Sequence, residues 1–307
     1  MTGWTTAEKD LIANVAVRAP SVHNTQPWVL GLSGATRVVE VYERLDSAPP
    51  RHDPVGRDRL ISCGAALEHV KIALRMLGWA PEVALFPDRN RPGLVAMVRA
   101  AHRAEPSPVD LRAHAAVGTR RSHRGPFSPV LVAEPVVRRL LAANHTDGAG
   151  LRPVRGHDEV LVLAGLLTHT ALVLRDDRGY QRELTAWTAA VRDPLRGAGV
   201  STASRRTATL RRTTAVPDID TLTARLSREC LLLVETPDDG PRDHVVAGAA
   251  AESVWLAAVD AGLAGALLTQ PFQLSEVRAG LGEALSLGGF PQVLLRFGRR
   301  GHHHEES

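Results

Sequence analysis

GAALEHVKIALRMLGW, Gly64 to Trp79, has a counterpart in GAAAESVWLAAVDAGL, Gly248 to Leu263. Aligned end to end, the two share the Gly-Ala-Ala opening, a Glu, a Val, an Ala and the closing Gly. Both read as helices. In the first, Ala65, Leu67, Val70, Ile72, Ala73, Leu74 and Leu77 leave only a narrow polar side at Glu68, Lys71 and Arg75, the pattern of a largely buried helix. Gly78 and Gly262 fall where a helix C-terminal glycine belongs. Two other segments echo each other, AEKDLIANVAV from Ala7 and AEPVVRRLLAA from Ala133. An internal repeat of this kind decides the whole fold. Its competitor is chance likeness between alanine-rich helices.

Strands are expected in the β-branched runs TRVVEVYE from Thr36, LVAMVRA from Leu94, ECLLLVET from Glu229 and PQVLLRFG from Pro291. Helices and strands mix without a regular βαβ rhythm, which predicts an α+β fold, internally duplicated, with repeats at 1–105 and 106–307. AHRAEPSPVDLRAH reads as the linker between them, leading into a helix. The irregular segment from about 192 to 220 is long for a loop inside a compact domain; such loops are disordered or functional, and here a lid over a site is the functional candidate.

At 307 residues the chain is long enough for one large domain or two smaller ones, and a hydrophobic fraction of 44% is ordinary for a globular protein. No uninterrupted apolar run approaches the roughly 18 residues of a membrane span. Glu8 and Asp10 interrupt any secretory-leader pattern at the N-terminus, so a cytoplasmic location is expected. Cys63 and Cys230 sit apart in apolar surroundings, as buried, inert thiols would. The net charge of +4 is almost wholly arginine, because Lys9 and Lys71 are the only lysines. Arginine's planar fork suits phosphate. An aromatic content of 4% argues against a nucleic-acid stacking platform, so neither nucleic acid nor membrane is expected as a partner. The tail GHHHEES reads as a disordered end or a cloning remnant.

Two stretches carry chemistry. RAPSVHNTQPW, Arg18 to Trp28, should end the first helix, since a residue before proline is pushed out of the helical region. It also concentrates amide and hydroxyl groups. Asn24 and Gln26 each offer donor and acceptor atoms, suited to the edge of a flat heteroaromatic ring. GTRRSHRGPF, Gly118 to Phe127, places Arg120, Arg121, Ser122 and Arg124 together as donors for a phosphate group. A solvated charged surface is the plain alternative.

Taken together, APSVHNTQPW and RRSHR resemble the two N-terminal signatures of the FMN-dependent nitroreductase family, here in reversed order and divided between the repeats. The family's order places the arginine segment first, in a homodimer whose flavin sites draw on both subunits. The resemblance therefore implies a nitroreductase-like fold in which one chain mimics the usual homodimer, similar to the fused Acg-like subgroup, with one FMN per chain. By position it implies that Arg120 and Ser122 hold the phosphate and ribityl end and that Arg124 reaches the pyrimidine edge, where a cation favours reduced flavin. Arg121 lies within the same segment. Pro20, Ser21, Asn24 and Gln26 would line the isoalloxazine from the opposite repeat. GLAGALLTQPF matches the family's ring-contact segment, but Thr269, Gln270, Pro271 and Phe272 stand where an acidic residue and glycine usually follow the proline. Arg299 and Arg300, in RFGRR, match its basic C-terminal phosphate contact.

The implied function is hydride transfer from NAD(P)H through FMN to a nitroaromatic, quinone or similar acceptor, with flavin N5 carrying the chemistry and no catalytic side chain. The alternative is an FMN-sequestering protein whose flavin is covered by the lid. Small molecules would be the only partners, and the chain a monomer or homodimer. His23 and His123 lack the carboxylate or cysteine neighbours of a metal site, so no metal is expected. Gly-Val-Ser at Gly199 and Ser-Leu-Gly-Gly at Ser286 lack the flanks of a nucleophile elbow, and no Gly-rich dinucleotide fingerprint follows a strand.

Overall fold

Thr5 opens the first helix, α1 (Thr6–Ala16), with a reciprocal cap: its hydroxyl accepts from the Glu8 N–H at 3.3 Å while the Glu8 carboxylate accepts from the Thr5 N–H at 2.8 Å. The helix ends before Pro20, and the chain makes a single 3-10 turn, Val22–Asn24, before the first strand. The computed structural model describes residues 3–32, 36–45, 51–123, 125–190 and 216–301. After the turn come β1 (Trp28–Leu32), β2 (Val38–Glu43), α2 (Arg57–Met76), β3 (Trp79–Leu85) and β4 (Leu94–Arg103). The second half runs α3 (Pro108–Thr119), α4 (Glu134–Ala142), β5 (Gly150–Val154), α5 (His157–Asp176), α6 (Arg178–Ala190) and α7 (Ile219–Leu226). It closes with β6 (Cys230–Thr236), α8 (Pro241–Asp260), β7 (Ala264–Leu268), α9 (Ser275–Ala284) and β8 (Phe290–Gly298).

The repeat seen in the sequence is a repeat of structure. Each half holds a four-stranded antiparallel sheet of the same order, β1-β2-β4-β3 and β5-β6-β8-β7. Even an irregularity is shared: the register slips at Val41/Tyr42 in the first sheet and at Val234/Glu235 in the second. The strands expected from sequence are β2, β4, β6 and β8, the two inner strands of each sheet. The outer strands carry weaker signals, such as the proline in β3 and β5, because an edge strand tolerates a missing N–H.

The repeated helices α2 and α8 cross at their shared glycines. A Cβ on Gly64 would lie 2.0 Å from the Val245 carbonyl oxygen, and one on Gly248 would lie 1.9 Å from that of Ile61. Backbone therefore meets backbone, and only glycine fits. Sixteen of the twenty residues of α2 are buried, since the helix has its own sheet on one side and α8 on the other. Gly78 and Gly262 end the two helices in left-handed conformations, φ +76° and +74°, as glycine allows. Cys63 and Cys230 are both buried thiols; burial raises both, Cys230 to about 11.

The two sheets differ in cover. In β2, Val39 and Val41 face the core while Glu40 and Tyr42 are half-buried, so the strand alternates. In β6, Leu231 to Val234 are all buried, because α8 packs on one face while α5 and α9 cover the other. This second layer qualifies the apolar-run expectation: α5 is long and apolar enough by composition to pass for a membrane span. About a third of that apolar window is buried in the fold, Leu163, Ala164, Ala171 and Leu174 among it, while Leu161, Val162, Leu172 and Val173 are exposed.

Candidate functional site at the junction of the repeats

The arginine segment lies against the second sheet. Ser122 makes a parallel bridge to Gly265 at the start of β7, and the His123 N–H donates to the Gly265 carbonyl at 2.7 Å. Further on, Phe127 pairs with Arg300 and the Ser128 N–H donates to the Arg299 carbonyl at 2.8 Å. Residues 118–123 and 125–128, β7 and the C-terminal arginines thus form one ledge. Gly265 is obligatory there: a Cβ would sit 2.7 Å from both the Phe297 ring and Trp255 Nε1.

Extended backbone sends successive side chains to opposite sides. Arg120 turns inward, stacks 4.7 Å above the Trp255 ring, and lies with Nε 3.3 Å from Glu252 Oε1. Its Nη2 donates to the Arg18 carbonyl at 3.0 Å, two residues before Pro20, and so joins the two sequence motifs. Arg121 turns outward. Its guanidinium caps the end of α3 through the Gly118 and Arg120 carbonyls, and with Thr119, Gly262, Ala264 and Arg300 it lines a cleft of about 320 Å³. Arg124 lies outside the described residues.

The Pro20–Gln26 loop is held by its own side chains. Ser21 Oγ accepts from the Gln26 N–H at 3.0 Å, and the Gln26 amide donates to the Val17 carbonyl at 2.9 Å. Asn24 and Gln26 adopt left-handed φ values of +56° and +46°, unusual for residues other than glycine. Such geometry concentrates where a loop serves a site. Asn24 is exposed, whereas Gln26 spends its amide on the loop itself.

Thr269 and Gln270 leave β7 toward a buried polar cluster. The Thr269 hydroxyl donates to Asp58 at 2.7 Å, and the Gln270 amide donates to the Tyr180 hydroxyl at 2.8 Å. Asp58 and Arg57 open α2; Asp53 accepts from the Asp58 N–H, and Gln292 accepts from Arg57 Nε. Burial pushes Asp58 up to about 6, against the pull of Arg57. A raised folded-state value means that stability is greatest while the carboxyl is protonated and falls as pH rises from near 3.8, its ordinary value, through about 6. Asp58→Asn abolishes that fall. Relative to wild type, the variant should gain on the order of 3 kcal/mol in unfolding free energy between pH 4 and pH 7. Parallel pH-dependent slopes in urea unfolding would refute this.

No protein-family model matches the chain. Over 297 residues it is 31% identical to Rv3131 of Mycobacterium tuberculosis H37Rv, provisionally named an NAD(P)H nitroreductase, covering 94% of this chain and 83% of that protein. The chain belongs to the nitroreductase family. The acg protein of the same organism, with the same provisional name, is 29% identical across 92% of this chain and 86% of its own length. Among solved structures, the FMN-dependent nitroreductase NfnB of Mycobacterium smegmatis, in complex with NADPH, is 17% identical with a TM-score of 0.41, over 62% of this chain and 88% of that one.

The sequence signatures miss the groups that join the repeats. His69, on α2, lies with Nδ1 2.7 Å from the Val15 carbonyl and Nε2 2.8 Å from Glu252 Oε1. Both side chains are fully buried. Glu252 was legible as the acid common to both repeats, but its partners come from elements far apart in sequence. Asp58, Gln292 and Tyr180 had no such signal. Among the described residues, no three His, Cys, Asp or Glu side chains gather as metal ligands, and the His123 ring sits 3.1 Å from the Pro126 carbonyl. Residues 192–215 of the candidate lid lie outside the described residues; Asp218 to Asp220 begin α7.

Proposed function

We propose that this chain is a fused nitroreductase pseudo-dimer, its repeats meeting between residues 105 and 106, that binds one FMN and passes hydride from NAD(P)H to a nitroaromatic, quinone or similar acceptor. The observation that carries the reading is the Arg120 clip to the Arg18 carbonyl, which brings the arginine segment of one repeat against the amide-rich loop of the other. The donor set fits the cofactor. Trp255 Nε1 and Arg120 Nε are buried side by side without hydrogen-bond partners, donors left for a bound group, and Arg121 and Arg300 line a cationic cleft on the other face of the segment. Arg120, Ser122, Arg124, Arg299 and Arg300 would hold the phosphate and ribityl end. Pro20, Ser21 and Asn24 would flank the ring. Thr269 and Gln270 begin four residues beyond Gly265, roughly 13 Å along an extended strand, a span compatible with an elongated flavin mononucleotide. When bound, FMN supplies the hydride chemistry that these side chains lack.

One observation favours the sequestering alternative. Tyr180, at the start of α6, is 3% exposed and bonded to Gln270, so α6 covers the exit of β7. Anaerobic titration separates the two readings. A reductase loses its visible flavin absorbance on addition of NADPH. Persistent colour in full-length protein, with bleaching after deletion of 192–215, selects sequestration, and a colourless protein that takes up no FMN removes both. Arg124→Ala should cost the protein its flavin, as loss of a charge-assisted contact worth about 1.5–3 kcal/mol, while leaving the fold intact; full flavin retention on gel filtration would count against the assigned site.

A further inference from the structure

The duplicated glutamate has diverged in its partners, and the divergence is informative. Glu68, the copy in α2, faces its own helix: its carboxylate pairs with Lys71 and lies 3.7 Å from Arg75. Glu252, the copy in α8, has no basic residue on its own helix beside it. It is fully buried and meets His69 from the other repeat and Arg120 from the arginine segment, both at the same oxygen, Oε1.

The hydrogen inventory of this trio is constrained. The Val15 carbonyl can only accept, so His69 Nδ1 carries a hydrogen. Between His69 Nε2 and Glu252 Oε1, at 2.8 Å, one further proton must lie. Whether it rests on nitrogen or on oxygen, His69 and Glu252 together carry no net charge. Arg120 thus keeps its full positive charge although a buried carboxyl group orients it. A carboxylate without His69 would orient Arg120 equally well but cancel that charge.

We propose that Glu252 and His69 are positioning residues for the phosphate of FMN: Glu252 aims Arg120, and His69, from the opposite repeat, balances Glu252 so that the guanidinium remains a net cation. This rests on the functional reading above. It makes anion affinity at the site depend on the contact between repeats, and it marks Glu68 as the copy released from that role.

The test compares the dissociation constants of FMN and riboflavin, which differ by the phosphate, using quenching of flavin fluorescence in apoprotein. His69→Asn should weaken FMN at least tenfold and leave riboflavin within twofold. The double variant His69→Asn with Glu252→Gln, which removes the uncompensated carboxylate, should restore FMN binding to within threefold of wild type. Glu68→Gln should leave both constants unchanged. A purely structural role predicts a double variant worse than either single one and equal losses for the two flavins; either result overturns the proposal. Should His69→Asn fail to fold, His69→Gln replaces it and is read by the same outcomes: selective loss of FMN binding supports the charge balance, and equal losses for the two flavins refute it. Wild-type protein that binds neither flavin overturns the functional reading itself, whereas wild-type preference for FMN with no response to His69→Asn overturns only this inference.

Discussion

Gly64→Ala and Gly248→Ala should each destabilise the protein by about 3 kcal/mol, at the upper end of what overpacking a core ordinarily costs. Each new methyl group would stand about 2 Å from a carbonyl oxygen of the facing helix, with no flexible side chain to yield. Relief requires α2 and α8 to separate along their crossing, and both sheets are packed on these helices. The gain of about 1 kcal/mol that alanine brings to a helix interior cannot offset such a displacement. Gly165→Ala in α5 and Gly282→Ala in α9 provide the contrast. A Cβ at either meets nothing within 4 Å, so these variants should be neutral or slightly stabilising. Urea midpoints measure all four. Equal midpoints across the set would mean that the helices do not cross where the repeat glycines place them.

Arg120→Ala is the second large effect, and it strikes stability and cofactor together. The side chain is nearly buried, and its loss leaves the fully buried Glu252 with His69 alone, leaves the Arg18 carbonyl without its donor, and uncovers the Trp255 ring. Glu252 keeps His69 and is left with no uncompensated charge, so the cost comes from the unpaired Arg18 carbonyl and the lost stacking on Trp255, together on the order of 3 kcal/mol. Flavin should be lost as well. Unfolding of apoprotein in urea isolates the first effect and FMN titration the second. A variant as stable as wild type would deny Arg120 its part in joining the repeats.

Both variants act on contacts between the repeats, and both should therefore disturb the flavin site proposed there. In Gly64→Ala the expected consequence is a longer distance between His69 on α2 and Glu252 on α8, the pair that meets Arg120.

The chain written out as letters determines a good deal of this protein. Helix periodicity, the terminal glycines and the Gly-Ala-Ala repeat mark α2 and α8, because burial on nearly every side demands an unbroken apolar surface with glycine at the contact. The inner strands are equally plain, since their β-branched and aliphatic runs are buried. Outer strands such as β3 and β5 were not legible, as their stability comes from pairing with a neighbour and not from their own composition. The motifs announced the family, because the residues that carry it are close in sequence.

Only the tertiary structure decided which way each arginine points. Arg120 and Arg121 are adjacent letters with the same chemistry, yet one is an internal clip and the other lines a cleft, because extended backbone alternates its faces and only one face meets α8. The same holds for Glu68 and Glu252, identical in the repeat and opposite in use. A side chain's partners are fixed by what the fold brings within about 3 Å, and for Glu252 those partners lie 183 residues away at His69 and on a separate segment at Arg120. Local sequence carries no record of that distance.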